Sequence, residues 1–448
     1  MATILFDIFA ATGHYNASFP LAKHLSREHR VVYVCDNSHY QKIVAGYGFE
    51  TFDVGSDTLQ QIRLEDWTMG FWLSLFSFSE RDRKLRLKRM IRSYRLLKEE
   101  LQPDMVLLDS HHFYKVILYY KEVCFSVLRF QSMVSTSKLP YIAPVNSDCL
   151  PVYTRKGNRK SEWLWSWYGL KSRMRQWMYC LFCPAGHYYF DVKMLAGLCG
   201  YPLAARIDHE RYTSSRIELK CYQELVIPPI AFDFPSDKRK VLTCSFSPLE
   251  NRDNGLFVSR YVTLTEKLQF LKASGGMFIV YCSLGTLSGV DRKRAVCFWQ
   301  KLKRTALKDS RLFFIFSIGR EIPYDILYPL TENIRVFRQV PQFHLLQYCD
   351  LMITHGGMNS ITECIYRQVP MLVYPLNRSW DQPGNAARAV FHGLGLKGSI
   401  SGDSPMTIYR KIKKISSSYF VYKKNLLKMK QRMEETPDTL TSYINSIV

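Results

Sequence analysis

No part of the chain reaches the roughly 18 consecutive uncharged apolar residues that a membrane-spanning helix needs. The amino-terminal apolar stretch, MATILFDIFA, also lacks the basic residues that open a secretory signal peptide. These absences argue against an integral membrane protein and against a secreted one. They predict a cytoplasmic protein, either soluble or peripheral at the inner face of the membrane.

Motifs for metal and dinucleotide cofactors are also missing. The turn after the first apolar run, FAATGHYN, lacks the three glycines that let a pyrophosphate approach the backbone, which excludes a Rossmann dehydrogenase. The twelve cysteines form no disulfide framework, and the one Cys-x-x-Cys, Cys180 to Cys183, has no second pair at zinc-ribbon spacing. We interpret the cysteines as buried reduced thiols.

The chain is strongly basic. Its 448 residues include 61 Lys and Arg against 39 Asp and Glu, and the formal net charge is +22. With 47% hydrophobic residues, two or three globular units are expected. The charge suits nucleic acid, an anionic membrane or anionic small ligands, and the basic runs at 80–100 and 171–177 are either solvated helix faces or anionic contact surfaces.

Short apolar, β-rich runs alternate with helical patterns in two series, which is typical of parallel sheets with helices on both faces. The first series holds TILFDIF, RVVYVCD and DMVLLDS, and the second holds GMFIVYCSLGT, RLFFIFSIG, IRVFRQV, DLMITHGG and PMLVYPL. We therefore predict an α/β protein with two Rossmann-like halves. Residues 226–255, rich in Pro and Asp, have the composition of a connecting segment, with the boundary near Pro248.

One segment, residues 161–184, holds four of the eight tryptophans together with interleaved basic residues. Trp163, Trp165, Trp167 and Trp177 beside Lys and Arg suit a membrane interface or an apolar ligand cleft. A buried helix pair is the alternative explanation of this segment.

The sequence DLMITHGGMNSITE indicates a strand, a turn and a helix. Its two glycines permit a tight turn, and Asn359 or Ser360 is expected to cap the helix. The free N–H groups at a helix start bind phosphate, His355 adds a donor, and Glu363 can accept bonds from a ribose diol. The cluster therefore predicts a nucleotide-diphosphate site, with an ordinary capped turn as the alternative.

Three more loops follow predicted strands at the same sheet edge, where open α/β sheets bind ligands. Asp381 and Gln382, in PLNRSWDQPGNA, suit sugar hydroxyls. The turn that begins at Val340 can present backbone groups to a base edge, and SLGT (283–286) offers small hydroxyls. Four loops are thus expected to converge on one ligand.

In the amino-terminal half, His14 follows Gly13 after the first predicted strand, and Asp109 ends the strand DMVLLD. If these strands are neighbours, Asp109 holds one imidazole nitrogen while the other faces the cleft between the halves. Such an arrangement suits a general base and the residue that orients it. Taken singly, each residue is more often structural in a turn of this kind.

Residues 340–386, from VPQ through THGGMNSITE to DQPGNA, resemble the donor signature of the family 1, UDP-dependent glycosyltransferases. This family includes bacterial macrolide and carotenoid glycosyltransferases and animal UDP-glucuronosyltransferases, and GHYNASFPLAKHL, LLDSHHF, SLGT and FDFP extend the resemblance loosely over most of the chain. It implies the GT-B fold, in which two Rossmann-like domains with parallel sheets face each other across a cleft. The implied units are an acceptor-binding domain at 1–247, a donor-binding domain at 248–425 and a carboxyl-terminal helix at 426–448 that packs back on the first domain.

By the same resemblance, His14 is the general base and Asp109 its partner. The remaining residues that the resemblance implies all contact the nucleotide sugar. They are Gly13 on the donor side, His355, Gly357, Asn359, Ser360 and the weaker candidate Thr286 at the diphosphate, Gln342 near the base, Glu363 at the ribose, and Asp381 and Gln382 at the sugar.

The resemblance implies a direct displacement in which an acceptor hydroxyl, deprotonated by the base, attacks the anomeric carbon and inverts its configuration. The helix amides and His355 are expected to stabilise the leaving diphosphate without a metal ion, and the chain has no Asp-x-Asp sequence of the metal-dependent glycosyltransferases. No cofactor is expected besides the co-substrate, a UDP-sugar such as UDP-glucose. Gln339 stands where many members have a Trp that stacks on uracil, so the contact with the base differs.

The expected partners are the UDP-sugar and an apolar, aromatic or lipid-like acceptor, with peripheral membrane contact through residues 163–177 and no nucleic acid. The polar carboxyl-terminal sequence indicates a protein of the bacterial type. Two alternatives stay open. One is a nucleotide-sugar epimerase of the same fold, which needs no acceptor, and the other is a basic binding protein without catalysis.

Overall fold

The computed structural model contains two parallel β-sheets flanked by helices. It describes residues 1–56, 59, 80–120, 125–182, 188–208, 210–211, 218–220, 223–244, 246–249, 259–285 and 291–447. Thr286 and Cys183, which the sequence analysis singled out, lie outside these residues.

Within the described residues, the first sheet has seven strands, and every neighbouring pair is parallel. They are β1 (Thr3–Asp7), β2 (Arg30–Cys35), β3 (Glu50–Asp53), β4 (Met105–Asp109), β5 (Ser126–Gln131), β6 (Glu224–Val226) and β7 (Leu242–Thr243). Their order in the sheet is β3-β2-β1-β4-β5-β6-β7. The order changes direction between β1 and β4, and open α/β sheets bind ligands at such a point.

The second sheet has six parallel strands in the part of the chain that the structure describes. They are β8 (Phe278–Ser283), β9 (Leu312–Ser317), β10 (Ile334–Phe337), β11 (Leu351–Thr354), β12 (Met371–Val373) and β13 (Gly395–Lys397). Their order is β10-β9-β8-β11-β12-β13, so the direction changes between β8 and β11. Residues 284–285, after β8, and residues 355–357, after β11, leave the sheet at this point.

The helices fill the connections between strands. They are α1 (Thr12–Leu25), α2 (Ser38–Gly46), α3 (Glu80–Leu101), α4 (Arg155–Phe182), α5 (Tyr188–Cys199), α6 (Leu203–Arg206), α7 (Ser259–Ser274), α8 (Arg292–Ala306), α9 (Gln342–Leu345), α10 (Met358–Tyr366), α11 (Gln382–Phe391), α12 (Pro405–Ser417), α13 (Tyr419–Glu434) and α14 (Thr439–Asn445). Short 3-10 helices cover Ser110–Ile117, Ile230–Phe232, Tyr324–Leu327 and Leu346–Tyr348. No helix within the described residues combines the length and the apolar character that crossing a membrane requires.

The central strands are mostly apolar and deeply buried because helices cover both faces of each sheet. The sequences MVLLD in β4 and LMIT in β11 are buried at every position. Runs of Val, Ile and Leu without alternation are typical of such doubly covered parallel strands. The predicted α/β class with two Rossmann-like sheets is confirmed.

Part of the segment that composition marks as a connection is packed into the protein. β7 forms the edge of the first sheet, and Phe232 and Phe234 are buried. Asp233, which lies between these two residues, pairs with Arg388 of α11 at 2.7 Å and with Arg239 at 2.9 Å. This segment therefore joins the first sheet to a helix that covers the second.

The end of the chain returns from the second sheet to the first. α13 packs against α10, whereas α14 packs against β7. The N–H of Thr243 donates to Thr439 Oγ1 at 2.9 Å, and Leu440 and Ile444 join the hydrophobic core of the first sheet. The last two helices thus bridge the two sheets.

Candidate active site

The carboxyl ends of the two sheets meet where α1 and α10 begin. The side-chain amide of Asn359, in the first turn of α10, donates to the carbonyl of Gly13 in the first turn of α1 at 2.8 Å. A Cβ atom on Gly13 would lie 3.9 Å from that amide nitrogen. This contact brings the predicted base and the predicted diphosphate site to one place.

His14 and Asp109 form a hydrogen-bonded pair on the first sheet. β1 and β4 are neighbours, and His14 Nδ1 lies 2.8 Å from Asp109 Oδ2. Ser132, just after β5, also places its hydroxyl 3.1 Å from His14 Nδ1. Asp109 is fully buried, whereas the His14 side chain keeps 16% of its surface exposed, so the imidazole is held from behind and remains accessible.

Asp109 is held in its ionised form. Burial works to raise the pKa of this carboxyl, but the neighbouring imidazoles of His14 and His111, and their hydrogen bonds, outweigh it and hold the pKa well below the usual range. A carboxylate that accepts from Nδ1–H fixes the His14 tautomer and leaves Nε2 as the basic nitrogen. The pair therefore has the arrangement of a general base with its orienting group.

A second histidine, His111, contributes to the same site. Its backbone N–H donates to Asp109 Oδ1 at 2.8 Å, and its ring lies edge-to-face with that of His14 at 4.5 Å between centroids. The ring of Phe9 lies 5.2 Å from His14. This role of His111 was not predicted from the sequence, although the residue lies in LLDSHHF. The signal is a second histidine two residues after the strand-end carboxylate.

His14, Asp109 and His111 could together hold a metal ion. Their ligand atoms all lie within 4.8 Å of one another, and imidazole and carboxylate groups suit Zn²⁺. An ion at this position would engage the imidazole that is a candidate base. Our expectation that the protein uses no metal stays a prediction.

His355 is enclosed by two glycines. A Cβ atom on Gly285, in SLGT, would lie 2.5 Å from His355 Cε1, and a Cβ atom on Gly357 would lie 2.6 Å from His355 Nε2. Gly285 also has a φ of +77°, a conformation that favours glycine. Any larger residue at either position would displace the imidazole, so Gly285 shapes the site although the sequence analysis considered only the hydroxyls of its loop.

The imidazole of His355 is neutral at physiological pH. Burial lowers its pKa to about 4, and its buried Nδ1 has no hydrogen-bond partner among the described residues. A buried polar nitrogen without a partner is costly in a protein interior. A ligand atom that hydrogen-bonds to this nitrogen would remove that cost.

Helix α10 begins two residues earlier than a cap at Asn359 would place it, and three earlier than a cap at Ser360. Its N-cap is Gly357, so the prediction that Asn359 or Ser360 caps the helix is wrong. Both residues lie in the first turn, where Asn359 reaches Gly13 and Ser360 Oγ accepts from Gln342 Nε2 at 3.1 Å. The first N–H groups of a helix have no intrahelical partners, and a glycine cap has no side chain that accepts from them, which suits an anion-binding helix start.

The predicted ribose and base contacts lie together behind this helix start. Gln342 Nε2 donates to Glu363 Oε2 at 2.8 Å, and Tyr281 Oη donates to Gln342 Oε1 at 3.1 Å. The carboxyl group of Glu363 is buried, at 1% exposure for the residue. A bound ribose would have to share the carboxylate with Gln342.

Asp381 and Gln382 lie at the start of α11 and differ in their surroundings. Asp381 accepts from Asn385 Nδ2 at 2.7 Å, and burial raises its pKa. The side-chain oxygen of Gln382, Oε1, accepts from the backbone N–H groups of Leu376 and Asn377 at 2.8 and 2.9 Å. Gln382 therefore fixes the loop with its carbonyl, and Asp381 presents the carboxyl group of this pair.

Sequence and structure comparisons point to one family. Residues 256–438 match the family described as UDP-glucoronosyl and UDP-glucosyl transferase. The chain is 36% identical over 91 residues to the NDP-glycosyltransferase YjiC of Bacillus subtilis (strain 168), which covers 20% of this chain and 23% of that protein. It is 33% identical over 173 residues to the zeaxanthin glucosyltransferase of Pantoea ananas, and this match covers 37% of this chain and 36% of that protein.

The fold match extends over the whole chain. The solved structure of the glycotransferase of kitacinnamycin aligns with a TM-score of 0.62 and 19% identity, covering 97% of this chain and 95% of that one. The sequence matches are shorter, since the chain spans only 23% and 36% of the two curated relatives. The protein therefore has the GT-B fold, and residues 256–438 match the UDP-glucoronosyl and UDP-glucosyl transferase family.

Proposed function

We propose that the protein is an inverting glycosyltransferase that moves a hexose from a UDP-sugar, with UDP-glucose as the first choice, to a hydroxyl of an apolar, aromatic or lipid-like acceptor. The observation that carries this proposal is the contact between Asn359 and Gly13, which sets the His14–Asp109 pair beside the start of α10. A base thus lies next to a helix start suited to a diphosphate.

The reaction is a single displacement. Nε2 of His14 takes the proton of the acceptor hydroxyl as that oxygen forms a bond to the anomeric carbon. The bond between the anomeric carbon and the diphosphate oxygen breaks, and UDP leaves with the electron pair. Asp109 stabilises the imidazolium that forms, a role that its ionised state supports. Attack from the face opposite UDP inverts the configuration.

The leaving UDP gathers negative charge at the start of α10. The helix N–H groups, with Gly357 as the N-cap, are proposed to bind its diphosphate, and His355 donates to it. Asn359, Ser360, Gly13 and Thr286 complete the proposed phosphate side. These groups supply the stabilisation that a metal ion gives in other transferases, so the proposal includes no metal and no further cofactor.

The rest of the donor lies along the second sheet. Glu363 is proposed to bind the ribose, Gln342 to lie near the base, and Asp381 and Gln382 to bind the hexose. Gln339, which is exposed, replaces an aromatic stacking residue, and we favour UDP over dTDP or GDP. The proposed units are an acceptor domain at 1–247, a donor domain at 248–425 and a return to the first domain at 426–448.

The proposed class of acceptor is supported partly by the name of a relative. The glucosyltransferase of Pantoea ananas is named for zeaxanthin. The tryptophans of α4 support an apolar acceptor here as well. We further propose a cytoplasmic location with peripheral contact at the membrane, where such acceptors partition.

A transfer assay tests the proposal. The protein is incubated with UDP-glucose and a panel of phenols, polyene alcohols and lipid alcohols, and UDP release and glycosylated products are measured. We expect UDP release that depends on the acceptor and a product of inverted anomeric configuration. UDP-glucose turnover without any acceptor would favour the epimerase instead, and binding of UDP with no turnover across the panel would contradict a transferase.

A further inference from the structure

Helix α4 carries a stripe of exposed apolar side chains. We call this set the aromatic stripe: Trp163, Trp167, Leu170, Met174 and Trp177, which are 63%, 55%, 46%, 57% and 67% exposed. Their spacing of four, three, four and three residues places them on one side of the helix. The rings of Trp163 and Trp167 stack in parallel, with centroids 6.3 Å apart.

The opposite side of α4 anchors the helix to the protein. Trp165 is buried in a hydrophobic core, and its Nε1 donates to the carbonyl of Ile142 at 2.9 Å. Ser161 Oγ donates to the same carbonyl at 2.8 Å. Trp165 is two residues from both Trp163 and Trp167, which is about 200° around the helix. The anchoring bonds therefore hold the aromatic stripe outward, so its exposure is a property of the fold.

Basic residues border the stripe on both sides. Arg159, Lys160, Lys171 and Arg173 are all exposed. The sequence of α4 contains seven basic residues and one acidic residue, and that acid, Glu162, pairs with Lys138 at 2.6 Å. Helices that lie in the interface of anionic membranes typically carry aromatic side chains between lysines and arginines.

The basic residues beside the aromatic stripe indicate which binding partner suits it. A heptad-like apolar seam could in principle pair with a second copy of the chain, but the bordering basic residues of the two copies would then face each other and repel. An anionic bilayer offers both an apolar layer for the tryptophans and phosphates for the basic residues. A contiguous exposed patch of large apolar side chains is typical of a contact surface.

We propose that the aromatic stripe docks the protein on the surface of an anionic bilayer. The helix lies parallel to the surface, Trp163, Trp167 and Trp177 enter the headgroup region, and the basic residues contact lipid phosphates. This surface would place the cleft next to a membrane that holds apolar acceptors. The docking itself does not depend on sugar transfer.

Vesicle binding tests the docking. The full chain is sedimented with vesicles of phosphatidylcholine alone and of phosphatidylcholine and phosphatidylglycerol in equal parts. We expect binding to the anionic vesicles only, weakening as salt is added, with a blue shift of Trp fluorescence. Trp163→Ser with Trp167→Ser should weaken binding at least about tenfold, and Lys171→Glu with Arg173→Glu about thirtyfold.

Matched variants on α13 serve as controls. Phe420→Ser with Val421→Ser removes two apolar side chains that are 85% and 61% exposed, and Lys424→Glu with Lys428→Glu reverses two exposed charges. Neither pair should change vesicle binding. Wild-type binding by the Trp163→Ser, Trp167→Ser protein would overturn the proposal. So would a wild-type dimer that this variant converts to a monomer, because the occupant would then be a second copy. UDP affinity should be equal in all variants, so a failure of docking is separate from a failure of the proposed transfer.

Discussion

Replacing His14 by Ala is expected to lower the rate of sugar transfer about 10²- to 10⁴-fold, the usual contribution of a positioned general base. The imidazole is the only group of the pair that is accessible, since Asp109 is buried behind it. UDP affinity should not change, because all the proposed donor contacts except Gly13 lie on the second sheet and His14 is not one of them. The rate is measured as UDP release in the transfer assay, and UDP affinity by calorimetry.

The Asp109→Asn substitution tests whether His14 acts as a general base or has only a structural role. An amide keeps the shape of the side chain but no longer stabilises the imidazolium or fixes the Nδ1–H tautomer, so transfer should fall by a similar factor. His39→Ala, at an exposed histidine of α2, is the matched control and should behave as wild type. Transfer at the wild-type rate by the His14→Ala protein would remove His14 from the role of base.

Replacing Asp233 by Ala should lower the free energy of unfolding by about 3–5 kcal/mol. Asp233 is buried and pairs with both Arg388 and Arg239, and Arg388 also lies over the ring of Phe234 at 4.4 Å. Removing the carboxylate leaves two buried guanidinium groups without their acid. Burial already lowers the pKa of Arg239, which shows how unfavourable its charge is at this position.

Urea denaturation measures this loss, with Asp237→Ala as the control. Asp237 lies on the same segment but is exposed, so its replacement should change the unfolding free energy by less than about 0.5 kcal/mol. Equal effects of the two substitutions would mean that the ion pairs of Asp233 contribute nothing to stability. Because Arg388 belongs to α11, the substitution is also expected to loosen the packing between the two sheets.

The sheets could be predicted because their central strands are uninterrupted apolar runs. TILFD and LMIT lie within the predicted runs TILFDIF and DLMITHGG, and each forms a strand, β1 and β11, at the expected place. The strands β3 and β13 could not be predicted, because ETFD and GLK are short and partly exposed. Their pairing depends on neighbouring strands rather than on their own composition.

The candidate site shows the same limit. The proximity of His14 and Asp109 follows from two strands that end at one sheet edge, so sequence order and strand prediction suffice to expect it. The contact of Asn359 with Gly13 joins residues 346 positions apart and depends on how the two sheets pack. The packed state of Asp233 in a Pro-rich segment could not be expected for the same reason, because its partner Arg388 is distant in sequence.

A UDP titration tests the central claim most directly, namely that the start of α10 and Glu363 form a site for UDP. The unfolding temperature is measured with UDP, dTDP, GDP and NAD for wild type, Glu363→Gln and the exposed control Glu321→Ala. At one hundred times its dissociation constant, UDP should add about 2.7 kcal/mol to the free energy of unfolding. Glu363→Gln should weaken UDP binding about tenfold or more, since a hydrogen bond to a charged group contributes about 1.5–3 kcal/mol. Stabilisation by none of these nucleotides, or equal UDP binding by Glu363→Gln, would contradict the site described above.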